Sequence, residues 1–193
     1  MLTIRKGGHT DLSHIYSAFD MDFDKRELLP KLAIHKGLLH GDLDLLLFED
    51  DASKMTLGYA LVFPRGVYGY ALLKYFGILP WYREKGVGVQ AMRLLHKYYA
   101  DKQGILAEIT VFDEEGKDDY MRKLRKFFAR FGYVEVPCDY RLGGAEVELM
   151  VKPIKGTADI APVAHRVIRD FYSRVLLPTT AQRMIDIRRK AEE

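Results

Sequence analysis

Cysteine is almost missing from this sequence. Cys138 is the only one in 193 residues, so no disulfide framework can form within the chain, and that usage suits a reducing cytosol. A cytoplasmic location is the expectation. Long apolar runs are missing too: "LDLLLF" is far too short to cross a bilayer, and "MLTIRKGGHTD" lacks the apolar core of a signal peptide. No membrane partner is expected. Charge of one sign is not in large excess, with 30 Lys and Arg against 27 Asp and Glu, and residues 160–193 carry the whole surplus of +3. A neutral main body argues against a nucleic-acid surface, which would gather Lys and Arg on the recognising face. The six histidines are scattered, and His35 and His40, five apart, do not share a helix face as paired ligands would. No metal site is expected.

What remains is a globular composition, 48% apolar and 30% charged with no Ser, Gln or Pro tract, long enough to bury a sizeable core. "LTIRKG" alternates as a short strand, and Thr10 offers an N-cap for a helix with Leu12, Ile15, Tyr16 and Phe19 on one face. Asp24 and Glu27 have capping-box spacing, but Pro30 cannot sit comfortably inside a helix, so the second helix is expected from Pro30 to about Leu39. Three apolar runs, 43–48, 56–63 and 68–79, are separated by "EDDASK" and "PRG" and read as an antiparallel meander. Helix follows from Gly86 to about Ala100, then the strand "ILAEITVF", then a helix gathering Tyr120, Leu124, Phe127, Phe128 and Phe131 and stopped by Gly132. "YVEV" and "EVELMVK" close the main body as strands.

Beyond "PIKGTAD", Ile160, Val163, Val167, Ile168, Phe171 and Val175 form a wide apolar stripe, and a last helical segment is expected from Pro178 to the end. The stripe must be covered, either by the chain's own domain or by a second copy in a homodimer. The organisation expected is therefore a main domain, 1–155, and a helical extension, 156–193.

The chemistry concentrates in "YFGILPWYREKGVGVQ", where a strand hands over to a helix. Gly86 and Gly88 permit a tight turn and leave the first helical N–H groups uncovered at the positive end of the helix dipole. A phosphate or pyrophosphate fits such a place, held by main-chain N–H groups around Lys85, Gly86, Val87, Gly88 and Val89, with charge added by Arg83 or Lys85. The glycines are not followed by the Lys-Ser or Lys-Thr of a Walker loop, and the third glycine of a dinucleotide fingerprint is missing.

Arg83, Gly86 and Gly88 at the entry to a long helix, with Phe127, Phe128, Gly132 and Tyr133 at the end of the next, resemble the two signatures of the GNAT superfamily of acyl-CoA-dependent N-acyltransferases. The resemblance runs in order over Leu2 to Lys152 and leaves the C-terminal extension outside. It implies an α+β fold, a mixed and mostly antiparallel sheet flanked by helices and splayed between its fourth and fifth strands, with acetyl-CoA as acyl donor in the cleft. It also implies an N-acetyltransferase that passes the acetyl group to a primary amine, on a small molecule or peptide, by direct attack in a ternary complex. The alternative is an acyl-CoA-binding sensor or interaction module without turnover.

The resemblance further implies that main-chain N–H groups of Phe76, Gly77, Ile78 and Leu79 polarise the thioester carbonyl. Glu108, which interrupts "ILAEITV", is the candidate base, directly or through a water; as an alternating strand residue it would instead face solvent. Asp113, Glu114 and Glu115 read as an ordinary solvated loop. The tyrosine that often protonates the departing thiolate is replaced by Phe128, and the asparagine seven residues earlier by Met121. Tyr120 is the candidate substitute, with Tyr133, Tyr140 or unaided departure as alternatives. Cys138, without a local partner, reads as inert, and Trp81 as partly exposed beside the loop.

Overall fold

The computed structural model describes residues 1–111 and 118–189; Asp113, Glu114 and Glu115 lie outside them. The described strands are β1 (Leu2–Lys6), β2 (Asp44–Asp50), β3 (Thr56–Phe63), β4 (Tyr70–Ile78), β5 (Gly104–Thr110), β6 (Val134–Glu135), β7 (Cys138–Leu142), β8 (Ala145–Pro153) and β9 (Ile185–Arg189). The helices are α1 (His9–Asp22), α2 (Lys31–His40), α3 (Val87–Tyr98), α4 (Asp118–Arg130), α5 (Ala164–Ser173) and α6 (Pro178–Met184). One sheet runs β1-β2-β3-β4-β5-β8-β7-β9, with β6 also on β8. Only β4 and β5 pair in parallel among these strands, joined by the α3 crossover. The expected α+β architecture is therefore present.

Strand alternation sends side chains to two cores. On one face Leu45, Leu47, Tyr59, Leu61, Phe63, Leu72 and Leu106 pack with α1, α2 and α5; on the other Leu46, Phe48, Val62, Leu73, Ile105 and Ala107 pack with α3 and α4. The C-terminal stripe belongs to the first core: Ile160 is 1% exposed and Val167, Ile168 and Phe171 are fully buried. These side chains are buried within the chain itself. The ring of Phe171 packs on Phe63 (centroids 5.5 Å apart) and lies so close to Gly66 that a Cβ there would fall 2.4 Å from it. Phe171→Ala is accordingly expected to cost about 3–5 kcal/mol in urea unfolding, as large core truncations do; a loss below about 1 kcal/mol would show a loosely attached extension.

Three local expectations are corrected. α1 starts at His9 with Gly8 as N-cap, where Asp11 reaches back to accept the Gly8 N–H (2.9 Å), and Thr10 lies inside the helix. The segment after "YVEV" holds a further strand, β7, whose Cys138, Tyr140 and Leu142 are buried in alternation. The last helix stops at Met184. "IDIRR" buries Ile185 and Ile187 with period two, and it pairs with the free edge of β7 as β9.

Candidate active site

The β4–β5 pairing covers Tyr70–Leu73 against Gly104–Ala107 and then ends, although β4 continues beside β3 to Ile78 and β5 beside β8 to Thr110. The strands part at Lys74 and Glu108. Across β3, Leu73 faces Val62 and Tyr75 faces Leu61, so Lys74 is an extra residue, a bulge that bends and twists β4 at the point of parting. Beyond it the facing edges have no ladder among the described residues. The Leu79 N–H donates to the Leu57 carbonyl (2.9 Å), which removes it from the expected set of polarising groups. By alternation the Gly77 N–H also turns toward β3, and those of Phe76 and Ile78 turn into the opening. Gly77 has a steric reason of its own: a Cβ there would lie 2.4 Å from the Tyr59 ring.

At the end of β4 the chain turns through Pro80–Tyr82 into α3. Gly86 is the N-cap, at φ 75°, and a Cβ on it would meet nothing within 4 Å. Gly88 lies outside the left-handed region, and a Cβ there would make only ordinary contacts with Ile78 (3.6 Å) and Phe127 (3.8 Å). Among the described residues nothing requires glycine at 88. The residues fit an anion held by the first-turn amides of Val87, Gly88 and Val89. Apolar rings continue the path: Phe76 lies 6.1 Å from Phe127 and 5.8 Å from Phe48. The two expected cations are engaged elsewhere. Arg83 donates to the Ile78 carbonyl and to Asp22 (both 2.7 Å), and Lys85 to the Trp81 carbonyl (2.9 Å). Trp81 itself is 83% exposed.

At the parting point lies a buried polar cluster that the sequence only half disclosed. The Glu108 side chain is fully buried, which corrects the solvent-facing alternative, and it accepts from Tyr140 at Oε1 (2.6 Å) and from Tyr172 (2.7 Å) and Lys74 (2.9 Å) at Oε2. Lys74, also fully buried, reaches Glu27 on its other side (3.3 Å). Burial opposes the Lys74 ammonium, but the carboxylates of Glu108 and Glu27 outweigh it and hold the pKa above the ordinary lysine value. Burial, then the charge of Glu108, pushes the Tyr140 and Tyr172 phenols well above their usual range, so both stay protonated donors.

Glu27 stands on the connection between α1 and α2, where its carboxylate accepts the Asp24 N–H (3.3 Å) without starting a helix. A charged residue inside each of "LLKYF" and "LAEIT" was the available signal; that the two residues meet was not readable.

Tyr120 is not brought to Glu108. It is 53% exposed near the start of α4, on the α3 side of the sheet, whereas Glu108 faces the α1, α2 and α5 side. Phe128 and Met121 fill the core on the α4 side (6% and 2% exposed). Tyr133, 2% exposed, has its hydroxyl 3.2 Å from His96 Nε2, and burial raises its pKa. Cys138 is buried.

No family model matches the sequence, and no curated protein matches it. Solved structures do match in shape. The spermidine/spermine N-acetyltransferase SpeG of Vibrio cholerae aligns at TM-score 0.60 and 16% identity, over 79% of this chain and 95% of its own. Arabidopsis thaliana NAA60 in complex with acetyl-CoA aligns at 0.61 and 13%, over 81% and 100%. A chain from Bacteroides thetaiotaomicron assigned to the GNAT acetyltransferases aligns at 0.63 and 17%, over 82% and 89%. SpeG has also been crystallised with CoA and spermine. At these identities the likeness is one of fold, and the chain has the fold of the GNAT N-acetyltransferases.

Proposed function

We propose that this protein transfers an acetyl group from acetyl-CoA to a primary amine, by direct attack in a ternary complex. One observation supports the reading: β4 stops pairing with β5 after Leu73 and then leads into the glycine-capped N-terminus of α3. Acetyl-CoA supplies an activated acyl group; Val87, Gly88 and Val89 would hold its pyrophosphate by main-chain N–H groups, with Arg83 or Lys85 released from their present partners to add charge. The amides of Phe76 and Ile78 would polarise the carbonyl as charge develops on its oxygen.

The acceptor must lose a proton before it attacks. A lysine-like amine of pKa about 10.4 pays about 4.6 kcal/mol for this at pH 7, which gives a base its value. Glu108 fills that role in our reading. For the departing thiolate, Tyr133 and Tyr140 are poor donors because a phenol of raised pKa gives up its proton uphill. Tyr120 or solvent supplies that proton. The acceptor is a small molecule or a peptide amine, the location the cytoplasm, and neither nucleic acid nor membrane takes part; a homodimer is compatible with the reading but is not built on the C-terminal stripe.

A second reading, a non-catalytic acyl-CoA-binding module, is favoured by a specific observation: Glu108 and Lys74 are both sealed from solvent and paired with each other. The two readings separate in one assay, CoA release from acetyl-CoA with a panel of polyamines, amino acids and peptide N-termini. Amine-dependent CoA production at pH 8 is the expected result. Binding of acetyl-CoA without CoA production from any amine would favour the second reading.

A further inference from the structure

Five polar side chains from five parts of the chain converge where β4 and β5 separate: Glu27 from the α1–α2 connection, Lys74 from β4, Glu108 from β5, Tyr140 from β7 and Tyr172 from α5. A buried ion pair of this kind is weak as a stabilising device, since apolar residues of similar volume would serve the core as well. Its arrangement around Glu108 is asymmetric. A carboxylate offers about four lone-pair sites, two on each oxygen. Lys74 and Tyr172 occupy both on Oε2, whereas Tyr140 occupies one on Oε1. Tyr172 comes from the C-terminal extension, outside the segment over which the sequence resembles the acetyltransferases. Its ring is fully buried between the sheet and α5, with Phe63 at 5.5 Å, so its hydroxyl is delivered in a fixed direction.

We infer that Tyr172 is a positioning residue for acetyl transfer: through it the C-terminal helix saturates Oε2 of Glu108 and directs the proton of the acceptor amine to Oε1. The inference rests on the acetyltransferase reading above. In the step, the acceptor ammonium gives one proton to Oε1, its nitrogen bonds to the acetyl carbon as the C–S bond breaks, and the nitrogen's second proton goes to solvent or Tyr120, from which the departing thiolate takes its own. Amide and thiol result, and Glu108 gives up its proton at Oε1 as the products leave. The charged and titratable groups that face Glu108 are Lys74 and Tyr75 from β4, Glu27 from the α1–α2 connection, Tyr140 from β7 and Tyr172 from α5.

The test compares wild type with Tyr172→Phe in two readouts. Carboxyl NMR on glutamate-labelled protein, with Glu108→Gln to identify the signal, is expected to show the Glu108 carboxyl resonance displaced when the donor is lost. The acid limb of the pH profile for CoA release is expected to move by about one pH unit, while acetyl-CoA still raises the melting temperature as in wild type. Where Tyr172→Phe lowers the folded fraction, fluorotyrosine at position 172 keeps the hydroxyl as a stronger donor, and the limb then moves the other way. An unmoved resonance in these variants would overturn the inference by showing no contact of Glu108 with α5. A displaced resonance with an unmoved rate limb would overturn it as well, leaving Tyr172 a structural contact. A displaced resonance in the variant, with no CoA released by wild type with any amine, overturns the acetyltransferase reading, and the positioning role with it.

Discussion

Acetyl-CoA at about 100 times its dissociation constant is expected to stabilise the protein by about 2.7 kcal/mol, a rise of roughly 5–11 °C in melting temperature, and Gly88→Glu is expected to abolish that rise. The substitution is informative because the fold tolerates it. A Cβ at 88 meets only Ile78 at 3.6 Å and Phe127 at 3.8 Å. A carboxylate in the first turn of α3 also suits the helix dipole, so the unliganded variant should melt no lower than wild type. What the carboxylate does is occupy the place and supply the charge that a pyrophosphate would. Thermal unfolding of both proteins with and without ligand reads the result. A shift that survives in the variant would move the anion site away from "REKGVG". No shift in wild type at millimolar ligand would end the acyl-CoA assignment.

Lys74→Met should be the most damaging single change in the cluster, with an expected loss of about 3–5 kcal/mol, or roughly 6–20 °C. The methionine fills much the same volume, so the penalty comes from charge: Glu27 and Glu108 lose the cation that lies 3.3 and 2.9 Å from them, in a site closed to water. Because the pKa of Lys74 is held above its ordinary value of 10.5, the contribution is complete below that pH and fades only as pH rises through the folded value. Adding Glu108→Gln to Lys74→Met should recover part of the loss, since one buried charge then goes with the other. Urea midpoints for the two single variants and the double give the coupling directly. A Lys74→Met protein within about 1 kcal/mol of wild type would falsify the buried pair.

Much of this molecule was legible in its residues. Periodicity placed the meander, the helix that opens at Gly86 and the strand that bears Glu108, because each is a regular element whose apolar residues must face one core. Gly86 announced itself, since a turn of φ 75° excludes most other residues. The C-terminal strand was not legible as such: seven residues of α6 precede it, and "IDIRR" becomes a strand only because β7 offers it an edge. Thr10 likewise gave up the place of N-cap to Gly8, whose N–H donates to the Asp11 side chain.

The site divides along the same line. The sequence by itself determined the uncovered amides at the start of α3 and the presence of a carboxylate on β5, since both follow from residue type and position within one element. Only the tertiary structure decided that Lys74 stands on a bulge, that Glu108 turns inward to it, and that Tyr172, 64 positions along the chain, completes its hydrogen bonds. Those contacts join elements whose spacing along the chain carries no information about distance, and they depend on where two parallel strands cease to pair.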